Sequence, residues 1–103
     1  MNREQQLVAR FTNGAGLNGP VNARVLDLVS EVGELAKEYL RATDYGKHEF
    51  QSPRGWEEEI GDVFYSLASI ANSTGVDLSR ALEKVIRKYE ERLIRTGAPS
   101  SSR

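Results

Sequence analysis

The chain has no cysteine, which excludes disulfides, zinc–thiolate and iron–sulfur sites and any thiol nucleophile. It has one histidine, His48, so a site that needs several imidazoles from one chain is excluded too. No apolar run approaches the ~20 residues of a membrane span, and the N-terminus lacks a signal-peptide pattern. A cytoplasmic location and no membrane partner are the expectation. Nor is there an excess of one charge. Fourteen Lys and Arg stand against fifteen Asp and Glu, a net charge of −1, so no positive field draws the chain to nucleic acid or anionic lipid. Carboxylates, hydroxyls, amines and guanidinium groups remain, and any metal chemistry must use oxygen ligands.

Proline is scarce, three in 103 residues, and the composition is 39% hydrophobic and 28% charged. This is the composition of a globular protein of one small domain. Breakers sort the chain into four helical segments. The first, about Arg3 to Thr12, carries Leu7, Val8 and Phe11 and ends in Asn13-Gly14-Ala15-Gly16-Leu17-Asn18-Gly19-Pro20. The second, about Val21 to Thr43, repeats Val25, Leu28, Val29, Val32, Leu35, Ala36, Tyr39 and Leu40 at three- and four-residue spacing.

A polar loop precedes the third segment, about Gly55 to Ser73, whose apolar face is Trp56, Ile60, Val63, Phe64, Leu67, Ile70 and Ala71. Glu57, Glu58 and Glu59 occupy its first turn, where the helix dipole favours negative charge. Asp77 is the expected N-cap of the fourth segment, Leu78 to about Thr96, and Gly97 its stop. That helix is expected to bury Leu78, Leu82, Val85, Ile86, Tyr89 and Leu93. The fold expected is an all-α, four-helix bundle-like domain over residues 1–96, followed by a disordered tail over 97–103. A chain this small with faces this long often completes its core with a second copy of itself.

Two of the helices carry nearly the same tetrad: Glu31-Val32-Gly33-Glu34 and Glu59-Ile60-Gly61-Asp62. Residues three apart share a helix face, so each tetrad presents two carboxylates side by side, and packed helices could bring all four together. Four such charges repel unless a cation sits among them. Mg²⁺ suits oxygen ligands and is commonly shared between carboxylates and substrate phosphates. Glycine inside a helix costs about 1 kcal/mol relative to alanine, and here it recurs at the same place in both tetrads, as if to admit a helix or a ligand. Acidic pairs on a helix are more often solvated surface. On the helical wheel, however, Glu59 falls inside the apolar arc and Glu31 borders one. Asp62 sits on the boundary, and Glu34 looks outward.

Lys84, Lys88 and Arg92 recur along one flank of the fourth helix, where they can meet phosphate oxygens or serve only the helix dipole and neighbouring glutamates. Trp56 lies one turn from Glu59, where it is a core anchor or a contact for a base. Tyr45 and Phe50 are in the preceding loop. His48, alone in a loop, is assigned no role.

Leu28-x-x-Glu31-Val32-Gly33-Glu34-Leu35 followed by Glu58-Glu59-Ile60-Gly61-Asp62-Val63 resembles the MazG-like branch of the all-α nucleoside triphosphate pyrophosphohydrolases. The family pattern is E-x-x-E, a spacer, then E-x-x-D; here 24 residues, 35 to 58, separate the halves. Asp77-Leu78-x-x-Ala81-Leu82 with Lys88-Tyr89-x-x-Arg92 looks like the family's closing helix. The likeness covers about residues 21 to 95.

The resemblance implies an enzyme that hydrolyses a (d)NTP between the α and β phosphorus atoms to (d)NMP and pyrophosphate, for control of the nucleotide pool. Glu31, Glu34, Glu59 and Asp62 would hold Mg²⁺, with Mn²⁺ as an alternative. Glu31 or Glu34 would act on the attacking water, a choice that stays open. Lys88 and Arg92, with Lys84 and Trp56 as further candidates, would contact substrate. The family also implies a homodimer or homotetramer. One departure is Ser30, where many relatives have a further glutamate; Glu38, one turn beyond Glu34, is the acid available to replace it. The alternatives are a phosphoribosyl-ATP pyrophosphohydrolase and a catalytically silent helical oligomerisation module. A di-iron bundle is excluded, because it needs Glu-x-x-His pairs.

Overall fold

A computed structural model describes residues 1–99, which form α1 (Arg3–Gly14), α2 (Val21–Ala42), α3 (Trp56–Ser73) and α4 (Leu78–Thr96) and no strand among the described residues. The all-α expectation holds, and the helix boundaries agree with the sequence reading to within two residues. Residues 100–103 of the expected tail lie outside the described residues.

The helix ends follow local chemistry. Asn2 and Gln5 form a capping box on α1. Asp77 caps α4 by accepting from Arg80 N (3.2 Å), and α4 ends on Gly97 in the left-handed region (φ 79°). After α2 the chain reverses through Asp44 and Tyr45, both at positive φ, and Gly46. Thr43, fully buried, braces this turn. Its hydroxyl donates to Tyr39 O (3.0 Å) and accepts from Gly46 N (3.1 Å).

Two helix pairs carry the packing: α2 against α3, and α1 against α3. The buried residues of α3 are Ser66, Ala68, Ser69 and Ala71, small side chains that let a neighbouring helix lie close. Gln5 is fully buried and ties α1 to the α3–α4 turn. Its amide nitrogen donates to Asn72 Oδ1 (3.0 Å) and Val76 O (2.8 Å), and its Oε1 accepts from Leu78 N (2.7 Å). Asn72 returns a bond to Gln5 O (3.0 Å). Thr12 and Tyr65 pair their hydroxyls at 2.9 Å.

The expected core of α4 is not formed within one chain. No residue of α4 is fully buried, and Leu82, Ile86, Tyr89 and Leu93 are exposed. Ile60, Phe64 and Leu67 of α3 and Val25, Val29 and Val32 of α2 are exposed as well. The reason is geometric: three helices cover only one side of such wide apolar stripes, and α4 departs from them instead of closing the bundle. The radius of gyration is 16.7 Å, against about 13 Å for a compact chain of this length. The surface area is 7879 Å², against roughly 5800 Å² for a compact monomer of this mass.

Candidate metal and phosphate site

The site is built where α2 and α3 lie side by side. Glu31, Glu59 and Asp62 can each direct one carboxylate oxygen so that the three lie within 4.8 Å of one another. Glu31 and Glu59 are half-buried, whereas Asp62, on the boundary of the apolar arc, is exposed. Burial first, then the charges of Asp62, Glu38, Glu34 and Glu31, hold the Glu59 carboxyl above its ordinary value. Every charged neighbour acting on Glu59 in this way is another carboxylate, and none is a cation.

This donor set fits a divalent cation. Like charges this close destabilise one another, and a hard ion with oxygen ligands is what such a group accommodates. Glu31, Glu59 and Asp62 are the residues that could hold one. Glu34 is not in the close triad; it is exposed on α2, near enough to act on Glu59 through its charge. Glu38 acts there too, and is bound to Arg41 at 3.4 Å.

Of the two occupants expected beside the tetrad glycines, a helix or a ligand, the chain supplies no helix. A Cβ at Gly33 or Gly61 would meet nothing within 4 Å, so no helix of the same chain approaches there. Lys84, Lys88 and Arg92 lie on α4 and make no ion pair with the acidic cluster among the described residues. Lys88 instead stands 5.6 Å above the ring of Tyr89. Trp56 is half-buried with its ring centre 4.9 Å from Phe50, which stacks on Tyr39 at 5.1 Å. Phe50 is therefore engaged within the chain, whereas Tyr45 is exposed.

Residues 22–94 match the MazG nucleotide pyrophosphohydrolase domain. The chain belongs to the MazG family. A similar chain is the uncharacterized protein YpjD of Bacillus subtilis, 37% identical over 71 residues. That stretch covers 68% of this chain and 64% of YpjD, so the chain spans a little under two thirds of its relative's length. No solved structure is significantly similar. The MazG match takes in α2, α3 and most of α4, and with them both acidic tetrads and the basic stripe. MazG domains generally use divalent metals, which accords with the triad of carboxylates.

Sequence reasoning missed two features of this region. One is the set of small and hydroxylated residues on α3, Ser66 and Ser69, which lie beyond the cluster; neither belongs to an acidic motif. The other is Gln5. Its place three residues after Asn2 is the spacing of a capping box, which says nothing of burial.

Proposed function

We propose that the chain is a Mg²⁺-dependent nucleoside triphosphate pyrophosphohydrolase, cleaving a (d)NTP to (d)NMP and pyrophosphate in control of the cytoplasmic nucleotide pool. The observation that carries this reading is the convergence of Glu31, Glu59 and Asp62 to within 4.8 Å inside a MazG domain. Residues 1–96 act as its single domain. Glu31, Glu59 and Asp62 hold the ion, with Glu34 at the rim.

When bound, a divalent ion screens the triphosphate, polarises the α-phosphoryl group and lowers the pKa of water. The chain's own residues supply the rest. Glu34, exposed and outside the close triad, is free to accept a proton from the attacking water, whereas Glu31 is committed to the ion. The hydroxyl oxygen attacks the α-phosphorus, the bond to the bridging oxygen breaks, and pyrophosphate leaves with the β and γ phosphorus atoms. Lys84, Lys88 and Arg92 bind phosphate oxygens, Arg92 with a planar fork of donors. Trp56, half-buried one turn before Glu59, is offered as a further substrate contact.

The α4 cations need a second copy of the chain to reach the carboxylates. The uncovered faces of α2, α3 and α4 support such a homo-oligomer, in which α4 of one subunit lies over the groove of its neighbour. A pyrophosphate-release assay over ribo- and deoxynucleoside triphosphates, with and without Mg²⁺ and with phosphoribosyl-ATP in the panel, tests the reading. Release that requires metal and is lost in Glu59→Gln supports it. Release from phosphoribosyl-ATP alone replaces it with the phosphoribosyl-ATP pyrophosphohydrolase. Silence across the panel leaves the oligomerisation module.

A further inference from the structure

The dipeptide Asn-Gly occurs twice where α1 gives way to α2, at Asn13-Gly14 and at Asn18-Gly19, and all four residues are exposed. An asparagine side chain before glycine is open to attack by the following backbone nitrogen, because glycine has no Cβ to shield it. The fold puts the two copies in opposite surroundings.

The Asn13–Gly14 peptide is fixed at both ends. Gly14 is the last residue of α1, so its N–H is held by the helical bond to the carbonyl four residues back. The Asn13 carbonyl accepts from Gly16 N at 3.2 Å. The Asn18–Gly19 peptide lies outside any helix. Its carbonyl accepts no backbone hydrogen bond among the described residues. Its N–H donates only to Leu17 O, at 3.1 Å, closing a three-residue turn that is easily opened. The space around Gly19 is empty too, since a Cβ there would meet nothing within 4 Å.

Beside Asn18 stands a cation. Arg24, half-buried near the start of α2, donates from Nε to Gly19 O (3.0 Å) and from Nη2 to Leu17 O (3.3 Å), the carbonyls on either side of residue 18. It makes no ion pair among the described residues, and these bonds leave donors of its guanidinium unused. Asn18 and Arg24 line one cavity of about 220 Å³ between α1, the α1–α2 loop and α3.

We propose that Asn18 is a self-modifying site: it deamidates in the folded protein while Asn13 is protected, and the carboxylate so formed pairs with Arg24. The Gly19 nitrogen attacks Asn18 Cγ and forms a new N–C bond. The Cγ–Nδ2 bond breaks, and the Gly19 amide proton leaves with that nitrogen as ammonia. Water then opens the succinimide at one of its two carbonyls, giving aspartate or isoaspartate. Either product puts a negative charge between two carbonyls that Arg24 already holds. The loop thus gains with age a fastening to α2 that the new chain lacks.

The test is to age the full chain at mildly alkaline pH, folded and in urea, and to follow the tryptic segment 11–24 by tandem mass spectrometry, since it carries both asparagines. In the folded chain Asn18 should convert roughly tenfold faster than Asn13, the weight of the hydrogen bonds that Asn13 must first break. In urea the two should convert at similar rates, because the helix is gone. Gly19→Ala, which the open surroundings accommodate, should abolish most conversion at Asn18. Asn18→Asp, which reproduces the aspartate product, should raise Tm by roughly 1–5 °C in low salt, the size of one exposed ion pair. That gain should vanish in high salt and in an Arg24→Gln background.

Equal conversion of the two asparagines in the folded chain, no conversion of Asn18, or an Asn13 that stays slow in urea overturns the site. An Asn18→Asp variant whose Tm is unchanged or lowered, or is raised as much without Arg24, overturns the pairing. Neither residue belongs to the metal and phosphate site, so these outcomes leave the pyrophosphohydrolase reading untouched.

Discussion

Glu31 of α2 and Glu59 of α3 bring carboxylate oxygens within 4.8 Å of each other, with Asp62 in the same group. Neither helix alone could do this. The antiparallel contact of α2 and α3 turns two weak acidic tetrads into one concentration of charge, and that concentration is what a divalent cation would relieve.

The first expectation concerns the metal-free protein. The folded-state pKa of Glu59 lies above its unfolded value, through burial and the surrounding carboxylates. Its ionised form therefore destabilises the fold at neutral pH. That penalty is relieved as pH falls through the raised value toward the ordinary one. Glu59→Gln should accordingly raise Tm at pH 7 in chelator, and the gain over wild type should shrink as the pH is lowered through that window. Added Mg²⁺ should raise Tm of the wild type and leave the variant unmoved. Thermal melts across pH, with and without metal, check both.

Glu31 and Glu34 should separate by their effects. Glu31→Gln removes a member of the close triad and should weaken Mg²⁺ binding by at least about tenfold, as losing one charge-assisted ligand implies. Glu34→Gln should keep most of the metal affinity but lower kcat by roughly 10²–10⁴, the usual weight of a general base. Equal loss of metal affinity in the two variants would place Glu34 in the ligand set instead. Calorimetric metal titration beside steady-state kinetics distinguishes these outcomes.

Gln5 should be the most sensitive polar residue outside the site. Gln5→Leu leaves Leu78 N, Val76 O and Asn72 Oδ1 without their bonds. With several buried groups unpaired, the cost should be about 2–4 kcal/mol. Urea denaturation reads it as a lower midpoint with little change in slope.

The apolar side of α4 should govern assembly. Ile86→Glu with Leu93→Glu places charge on an exposed stripe, which costs a single chain little, because neither residue is in its core. In an oligomer the same charges would be buried without partners and should dissociate it. Sedimentation velocity should show the wild type as a dimer or larger and the double variant as a monomer that keeps its helicity.

Gly33 and Gly61 should respond alike when no ligand is present. A methyl group at either position meets nothing within 4 Å, so each alanine should stabilise its helix by about 1 kcal/mol. A loss of nucleotide affinity accompanying that gain would show that the open space is used by substrate or by a second subunit.

Much of this was legible in the chain itself. The spacing of Leu28, Leu35 and Ile60, the cap at Asp77 and the stop at Gly97 depend on neighbours within a turn, so they can be read along one dimension. The tetrads were legible for the same reason, and the wheel positions of Glu31 and Glu59 already set them apart from a solvated surface. The fate of α4 was not. Leu82, Ile86 and Leu93 mark an apolar face whether that face meets its own chain or another, because periodicity shows that a side needs covering and not what covers it.

The amino-acid sequence by itself determined the four helices, their ends and the family, since these follow from local propensity, capping and motif order. Only the tertiary structure decided which carboxylates converge, that the α4 cations stay away from them, and that Ser69 is left buried beside a cavity. Each of these depends on the angle and depth at which helices distant in sequence meet. Those are set by the fit of small residues such as Ser66 and Ala68 and by the Gln5 tie, contacts that no single stretch of chain contains.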